Sequence, residues 1–304
     1  MIITEFYNGQ GLGNQLWNYF VLRVIAKKLN YNFGVMSKHK FKGREFMNID
    51  YGMDVIGGYG PEGGSPLALP DTITNYYKEK LIRHPKSDLD ISCADYDLFK
   101  IPDNTKIDGN MQSIKYIDEY RDDIIKEIKI PVDKNIKEYS ENNICIIHIR
   151  GGDYKFTSAI LFKNYYDNCM KHMLKINKDV QFLIVTDDFN MVKQMYPDIK
   201  IVGGAVFGYS DINKAIHHIG GPIWMDYSIL NNAKNVIMSA SSFGWWPVWT
   251  NTNNPIVIAP KYWAAHKLND GYWSCGESLI NGWSWIDNNG RLFTYDECKN
   301  ELLK

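Results

Sequence analysis

The sequence predicts an α/β protein made of two βα domains facing a cleft, and three observations carry that reading. A strand-like apolar run at residues 2–7 leads through a glycine-rich turn into a stretch with helical spacing. A second run, residues 144–149, is nearly all apolar and mostly β-branched, as a strand buried on both faces would be. Beyond it, short apolar runs alternate with helical stretches, the pattern of a parallel sheet joined by crossover helices. At 304 residues, 45% of them hydrophobic, the chain has the size at which one core becomes two. We place the domains at 1–138 and 139–304.

In the first domain, residues 2–7 read as a strand, 8–13 as a turn and 14–29 as a helix. Leu16, Trp17, Phe20, Val21, Val24 and Ile25 recur at the three-to-four-residue spacing of one apolar stripe. Residues 33–36 form the next strand. From Lys38 to about Pro131 the signals blur. Residues 57–70, rich in Gly and Pro, read as a loop, 116–130 carry helical periodicity, and the polar stretch 138–143 reads as a linker.

The second domain alternates cleanly. Strands are expected at 144–149, 181–185, 200–202, 235–238 and 256–258. Helices are expected near 164–176, 189–196 and 223–232 and after Ser242. We find no internal repeat and no low-complexity tract.

A net charge of -1 and a pI near 6.7 give no general attraction to nucleic acid or to anionic membranes. Any anion must therefore be small and bound at a local site. Cys93, Cys145, Cys169, Cys275 and Cys298 are scattered singly, with no CxxC pair, which argues for a reducing compartment and against a structural zinc. No window approaches the roughly 18 apolar residues of a membrane span. The expectation is a soluble, cytoplasmic protein.

The chemistry gathers at strand ends. The run 144–149 closes on His148, Arg150, Gly151, Gly152 and Asp153. In open α/β sheets ligands bind outside the carboxyl ends of the strands, where a guanidinium meets an anion through two parallel hydrogen bonds. The bland alternative is that Arg150 pairs with Asp153 on a rim. Three further groups belong with them: Thr186-Asp187-Asp188, Ser239-Ala240-Ser241-Ser242, and Asp226 on the preceding helix. Asp188 reads equally as a helix cap. Ser241 and Ser242 read as caps too, and a capped helix start presents backbone N–H groups to a phosphate.

The turn Gly9-Gln10-Gly11-Leu12-Gly13-Asn14 is close to a dinucleotide fingerprint, but Asn14 stands at the third glycine. The strand after it ends in Ser37 and Lys38 rather than in an acidic ribose ligand. This counts against a dinucleotide-dependent oxidoreductase, although a phosphorylated cofactor would tolerate the basic end. Asp88-Leu-Asp90 and Asp95-Tyr-Asp97 match a metal-binding DxD in letters only, within the poorly patterned stretch. Tyr262, Trp263, Tyr272, Trp273, Trp283 and Trp285 crowd the carboxyl-terminal region, and packing accounts for them better than a sugar-stacking platform does.

Taken in order, Gly11-Leu-Gly13-Asn14-Gln15-Leu16, His148-Ile-Arg150-Gly-Gly-Asp153-Tyr154, Thr186-Asp187-Asp188, Asp226 and Ser241-Ser242-Phe243-Gly244-Trp245-Trp246 resemble the α-1,2-fucosyltransferases, glycosyltransferase family 11. The resemblance runs from end to end of the chain. It implies a GT-B-like fold of two Rossmann-like βα domains, the first on the acceptor side and the second binding a GDP-sugar. The implied reaction moves L-fucose from GDP-β-L-fucose to a hydroxyl of an oligosaccharide or glycan acceptor, α-1,2 to galactose. It inverts the anomeric centre and uses neither metal nor other cofactor. Arg150 would grip the β-phosphate, His148 and Asp226 would lie at the guanosine, and Ser241 and Ser242 would share the phosphate. Gly11, Gly13 and Asn14 count with the donor-binding residues.

For the general base, Asp153 is the nearest acid to Arg150 and Asp187 the runner-up, while Asp153 reads equally as orienting the arginine. The family pattern has a second arginine where this chain has Gly151, and often Asn where it has Ala240. Lys155, or a lysine of the first half, is the candidate replacement cation. Two alternatives stand beside fucosyl transfer: another nucleotide-sugar donor, and a module that binds nucleotide sugar or glycan without turnover.

Overall fold

The computed structural model describes residues 1–55, 70–83, 90–128, 130, 143–157, 159–198, 200–201, 216–218, 222–261 and 278–302. The expected loop at 57–69, most of the linker at 138–143, Asp88, Val202, Tyr262, Trp263, Tyr272, Trp273 and Cys275 lie outside them. The chain divides into two α/β units, Met1–Ile82 with Ser92–Lys129 and Arg83–Ile91 with Ile130–Lys304. Each is built on a parallel sheet, as the GT-B-like class requires.

The first unit contains β1 (Ile2–Glu5), β2 (Phe33–Met36), β3 (Asn75–Lys78) and β6 (Thr105–Asp108); in chain order between β3 and β6 comes a separate two-stranded ribbon, β4 (Ile82–Arg83) with β5 (Asp90–Ile91). β1, β2, β3 and β6 form an all-parallel sheet in the order β2-β1-β6-β3. Between β1 and β2 runs α1 (Leu12–Leu29), which starts two residues earlier than expected because Gly11 holds the extended entry conformation. From Leu12 to Ala26 every residue except Asn14 and Arg23 is buried, so α1 is covered on nearly all sides. Lys27 and Lys28 in its last turn oppose the helix dipole, and Asn30 closes it in the left-handed conformation at φ 54°.

The blurred stretch holds β3 and β6, whose tyrosines and lysines masked the strand period. The helix expected at 116–130 is shorter. Two 3₁₀ turns, Ile114–Tyr116 and Asp118–Tyr120, precede α2 (Arg121–Glu127).

The second unit carries β7 (Ile144–Ile149), β8 (Gln181–Thr186), β9 (Lys200–Ile201), β10 (Ile216–His218), β11 (Asn235–Ile237), β12 (Ile256–Pro260), β13 (Ser284–Ile286) and β14 (Leu292–Phe293). They pair in the order β14-β13-β12-β11-β7-β8-β10-β9, parallel except for the β13–β14 pair. Its described α-helices are α3 (Lys163–Ile176), α4 (Phe189–Met195), α5 (Ile223–Asn232), α6 (Ser242–Trp249) and α7 (Tyr295–Leu302). Cys145, Ile147 and Ile149 of β7 pack against Tyr166, Met170 and Phe182 in the core. Each such buried side chain contributes about 1.5–3 kcal/mol. Trp283 and Trp285 are buried, with ring centroids 5.9 Å apart, and so belong to packing.

The direction of strand succession reverses between β7 and β11. From β7 the chain proceeds to β8 on one side, and it returns to β11 on the other. Such a switch point is where an open parallel sheet leaves a crevice beyond its strand ends.

Cys145, Cys169 and Cys298 are free and buried. Cys93 is disulfide-bonded, which corrects the reading of five unpaired cysteines and removes its support for a reducing compartment. Single cysteines carry no signal in sequence of what folding brings beside them. No helix among the described residues is long and apolar enough to cross a membrane.

Candidate functional site

Strand register brings the expected site residues of the second unit to one edge. Ile149 lies opposite Thr186, and Ile147 lies opposite both Ile184 and Ile237. Arg150, Asp187 and the Met238–Ser242 segment therefore leave the sheet side by side at the switch point. The Tyr165 hydroxyl on α3 donates to the Met238 carbonyl at 2.6 Å, fixing the exit of β11.

Arg150 is held by two carboxylates. One guanidinium nitrogen pairs with Asp187, and the other donates to Asp153 Oδ1 at 2.5 Å. The guanidinium carbon also stands 5.0 Å from the centroid of the Tyr154 ring. Its side chain stays 29% exposed, enough for a ligand to reach it. Asp187 has a second task, since its Oδ1 accepts from the Gly151 N–H at 2.8 Å. Asp153, with a side chain 72% exposed, is the more exchangeable of the two partners.

Asp188 is the helix cap. Its carboxylate accepts from the Met191 N–H at 3.0 Å in the first turn of α4, from the Gly152 N–H at 3.0 Å, and from Lys155. Burial pushes this carboxyl up, but the bonds from Lys155, Met191 and Gly152 outweigh burial and hold it below the usual range. A Cβ at Gly151 would lie 2.4 Å from Asp188 Cβ. Gly152, at φ +50°, would put one 2.9 Å from Asp187 Oδ2. Glycines here thus allow the close approach of Asp187 and Asp188.

His148 is buried in β7, 3% exposed, with Nδ1 2.9 Å from Ser239 Oγ, so it ties β7 to the segment after β11. Phe243 lies over it at 5.9 Å between ring centroids. A Cβ at Gly244 would come within 2.5 Å of its Nδ1. The histidine is thus the surface on which the first turn of α6 rests. Burial, then the neighbouring Arg150 cation, lower its pKa from 6.5 to about 3. The unfolded chain therefore binds a proton between about pH 6.5 and 3 that the folded chain does not, and stability falls with pH through that window. We expect acid unfolding of His148→Gln to show a shallower slope there than the wild type, read by denaturant melts at stepped pH. Equal slopes would mean that the group titrates normally.

Ser241 is the residue before α6 and is 3% exposed, but its side chain makes no cap hydrogen bond. Ser242 opens the helix. Asp226 sits half-buried in the first turn of α5, whose neighbouring Tyr227 meets Phe243 edge to face at 6.2 Å. Asn231 on α5 donates to the Pro247 carbonyl of α6 at 2.9 Å. Tyr227, α6 and His148 thus form one packed series, with Asp226 one residue before Tyr227 on α5. In the first unit, Gly11 precedes α1, while Gly13 and Asn14 lie in its first turn, where Asn14 Oδ1 accepts from Gln112 Nε2 at 2.9 Å. Of the DxD-like pairs, Asp95 and Asp97 face Lys80 at 3.2 and 3.3 Å.

Sequence places Ser239 in the strand-end group and Gly244 in the motif after it, but shows neither one's contact with His148. The small residue after a strand and the glycine in a helix's first turn were the available signals.

An arginine at the switch point of a parallel sheet, with a helix starting after the neighbouring strand, is an arrangement in which open α/β sheets can bind anions. The chain belongs to glycosyl transferase family 11, whose profile matches residues 74–286. An α-1,2-colitosyltransferase of Escherichia coli is 28% identical over 185 residues, covering 57% of this chain and 60% of that protein. The O-antigen biosynthesis glycosyltransferase WbnK of E. coli is 26% identical over 175 residues, covering 51% and 53%. The chain thus matches three-fifths or less of either relative's length. Among solved structures, POFUT1 in complex with GDP superposes with a TM-score of 0.41 at 9% identity, covering 85% of this chain and 97% of that one. A family 9 glycosyl transferase from Veillonella parvula gives 0.40 at 12%, covering 85% and 79%.

Proposed function

We propose that this protein is an inverting glycosyltransferase that moves L-fucose from GDP-β-L-fucose to a hydroxyl of an acceptor glycan, in α-1,2 linkage to galactose. The observation that carries the reading is the partly exposed guanidinium of Arg150 at the β7–β11 switch point, held in place by Asp187 and Asp153. As the bond from the anomeric carbon to the β-phosphate oxygen lengthens, negative charge grows on the diphosphate. A fixed donor aimed at that charge contributes about 3–4 kcal/mol to the transition state.

In this reading the diphosphate exchanges with exposed Asp153, while Asp187, tied to the Gly151 amide, keeps the arginine oriented. Asp226 accepts from the guanine edge, His148 sets the position of α6, and the N–H groups of its first turn supply further positive potential. Membership of family 11 and the α-1,2-colitosyltransferase relative support a sugar-nucleotide donor and this linkage. The same relative favours a second reading of the donor, a nucleotide-activated colitose.

The test is release of GDP from GDP-fucose with and without neutral glycans such as lactose. Acceptor-dependent release that persists in excess EDTA is expected, because the charge is carried by Arg150 and the helix start. Asp226→Asn should weaken GDP binding in calorimetry by about tenfold, since the amide no longer accepts from both guanine N–H groups. Turnover of a colitosyl donor alone would move the assignment to that sugar, and binding without turnover of any donor would leave a recognition module.

A further inference from the structure

The first unit carries a buried charged network that the donor site does not use. Glu5, at the end of β1, and Lys106, on β6, pair at 2.6 Å with both residues buried, and the Ser37 hydroxyl donates to the other Glu5 oxygen at 3.2 Å. Lys106 Nζ lies 5.4 Å from the Tyr7 ring centroid. The Tyr76 hydroxyl donates to Asp108 Oδ2 at 2.6 Å, and burial together with the nearby Asp108 and Glu5 carboxylates pushes the pKa of the Tyr7 phenol up. Desolvating both ions of a buried pair cancels most of its Coulomb gain, so packing alone is a poor account of it. The network reaches solvent at one end, where Tyr76 is 52% exposed and Asp108 half-buried. That end lies at the carboxyl edge of a parallel sheet.

We propose that Asp108, with the phenols of Tyr7 and Tyr76, forms a binding subsite for one neutral sugar residue. Three features fix the ligand class. Glu5 and Lys106 cancel, so Asp108 leaves the cluster with one net negative charge, which repels phosphates and acidic sugars. A carboxylate offers about four lone-pair positions, and two phenols leave room for sugar hydroxyls to donate. The exposed Tyr76 ring supplies the flat apolar face on which the C–H side of a pyranose stacks. Calling the bound sugar the acceptor rests on the transferase reading; the subsite itself does not.

The full chain is titrated with galactose, glucose, N-acetylglucosamine and lactose, with saturation-transfer NMR reporting binding. At least one should bind the wild type. Tyr76→Ala and Asp108→Asn should weaken it about tenfold or more, with Tyr76→Phe losing less because the ring remains. GDP affinity should stay within about twofold in all three. Binding of none of these sugars, or variants that bind like the wild type, would overturn the subsite. Melting curves report folding; if Asp108→Asn fails to fold, Tyr76→Ala on the exposed ring decides. Sugar binding that the wild type shows and these variants lose, in a protein that turns over no nucleotide-sugar donor, would sink the transferase reading and leave the subsite standing.

Discussion

Replacing Arg150 by alanine is expected to lower kcat about a hundredfold or more while leaving the fold intact. The guanidinium touches Asp187, Asp153 and the face of Tyr154, all at the rim of the sheet. Partly exposed ion pairs of this kind contribute about 0–1 kcal/mol to stability, so the melting midpoint should move little. The loss falls on the leaving group. Arg150→Lys should recover little, because a single ammonium cannot hold the orienting carboxylate and present a planar fork to a diphosphate. Asp187→Asn should weaken both turnover and GDP binding, since Asp187 orients the arginine and the Gly151 amide together. Asp153→Asn follows the same pattern if Asp153 orients Arg150; if it is the base instead, rate falls while GDP affinity holds. Steady-state kinetics and GDP calorimetry on folded variants decide. Near-normal turnover by a well-folded Arg150→Ala protein would remove Arg150 from the leaving-group role.

The parts of this architecture legible in sequence were those with one uniform reason for their pattern. β7 is flanked by strands on both sides and covered on both faces, so Ile144–Ile149 could be read to the residue, as could Phe33–Met36 and Ile223–Asn232. Strands β3 and β6 escaped because they serve two purposes. Lys106 alternates inward as an apolar residue would, but it is buried against Glu5, and Tyr76 stays exposed. The strand-end residues Arg150, Asp187 and Ser241 were found because position at a strand end is a sequence property. What each touches is a property of register. That Asp187 reaches the Gly151 amide and Asp188 the Gly152 amide follows from the pairing of Ile149 with Thr186, which no local window contains. The tie from His148 to Ser239 crosses from β7 to the exit of β11 in the same way.

Restoring the family's second arginine, Gly151→Arg, is expected to destabilise the protein rather than strengthen its donor site. A Cβ at position 151 would stand 2.4 Å from Asp188 Cβ, so either the loop or Asp188 must move. Overpacking of this kind costs about 1–3 kcal/mol. Displacing Asp188 also removes its bond to the Met191 amide, a cap worth about 1 kcal/mol, and its bond to the Gly152 amide. The same carboxylate pairs with Lys155, so the nearby lysine would lose its partner in the same step. Together these predict a loss of about 2–4 kcal/mol, read as a drop in the denaturant midpoint at unchanged slope. Gly151→Ala should reproduce most of that loss, because the clash begins at Cβ and the guanidinium adds only charge. GDP affinity of the arginine variant should fail to rise, since the added cation enters with the loop displaced from the Asp187 bond that orients Arg150. If Gly151→Ala is as stable as the wild type and Gly151→Arg binds GDP more tightly, the contact with Asp188 does not govern the choice of glycine, and the missing arginine is a plain loss of positive charge.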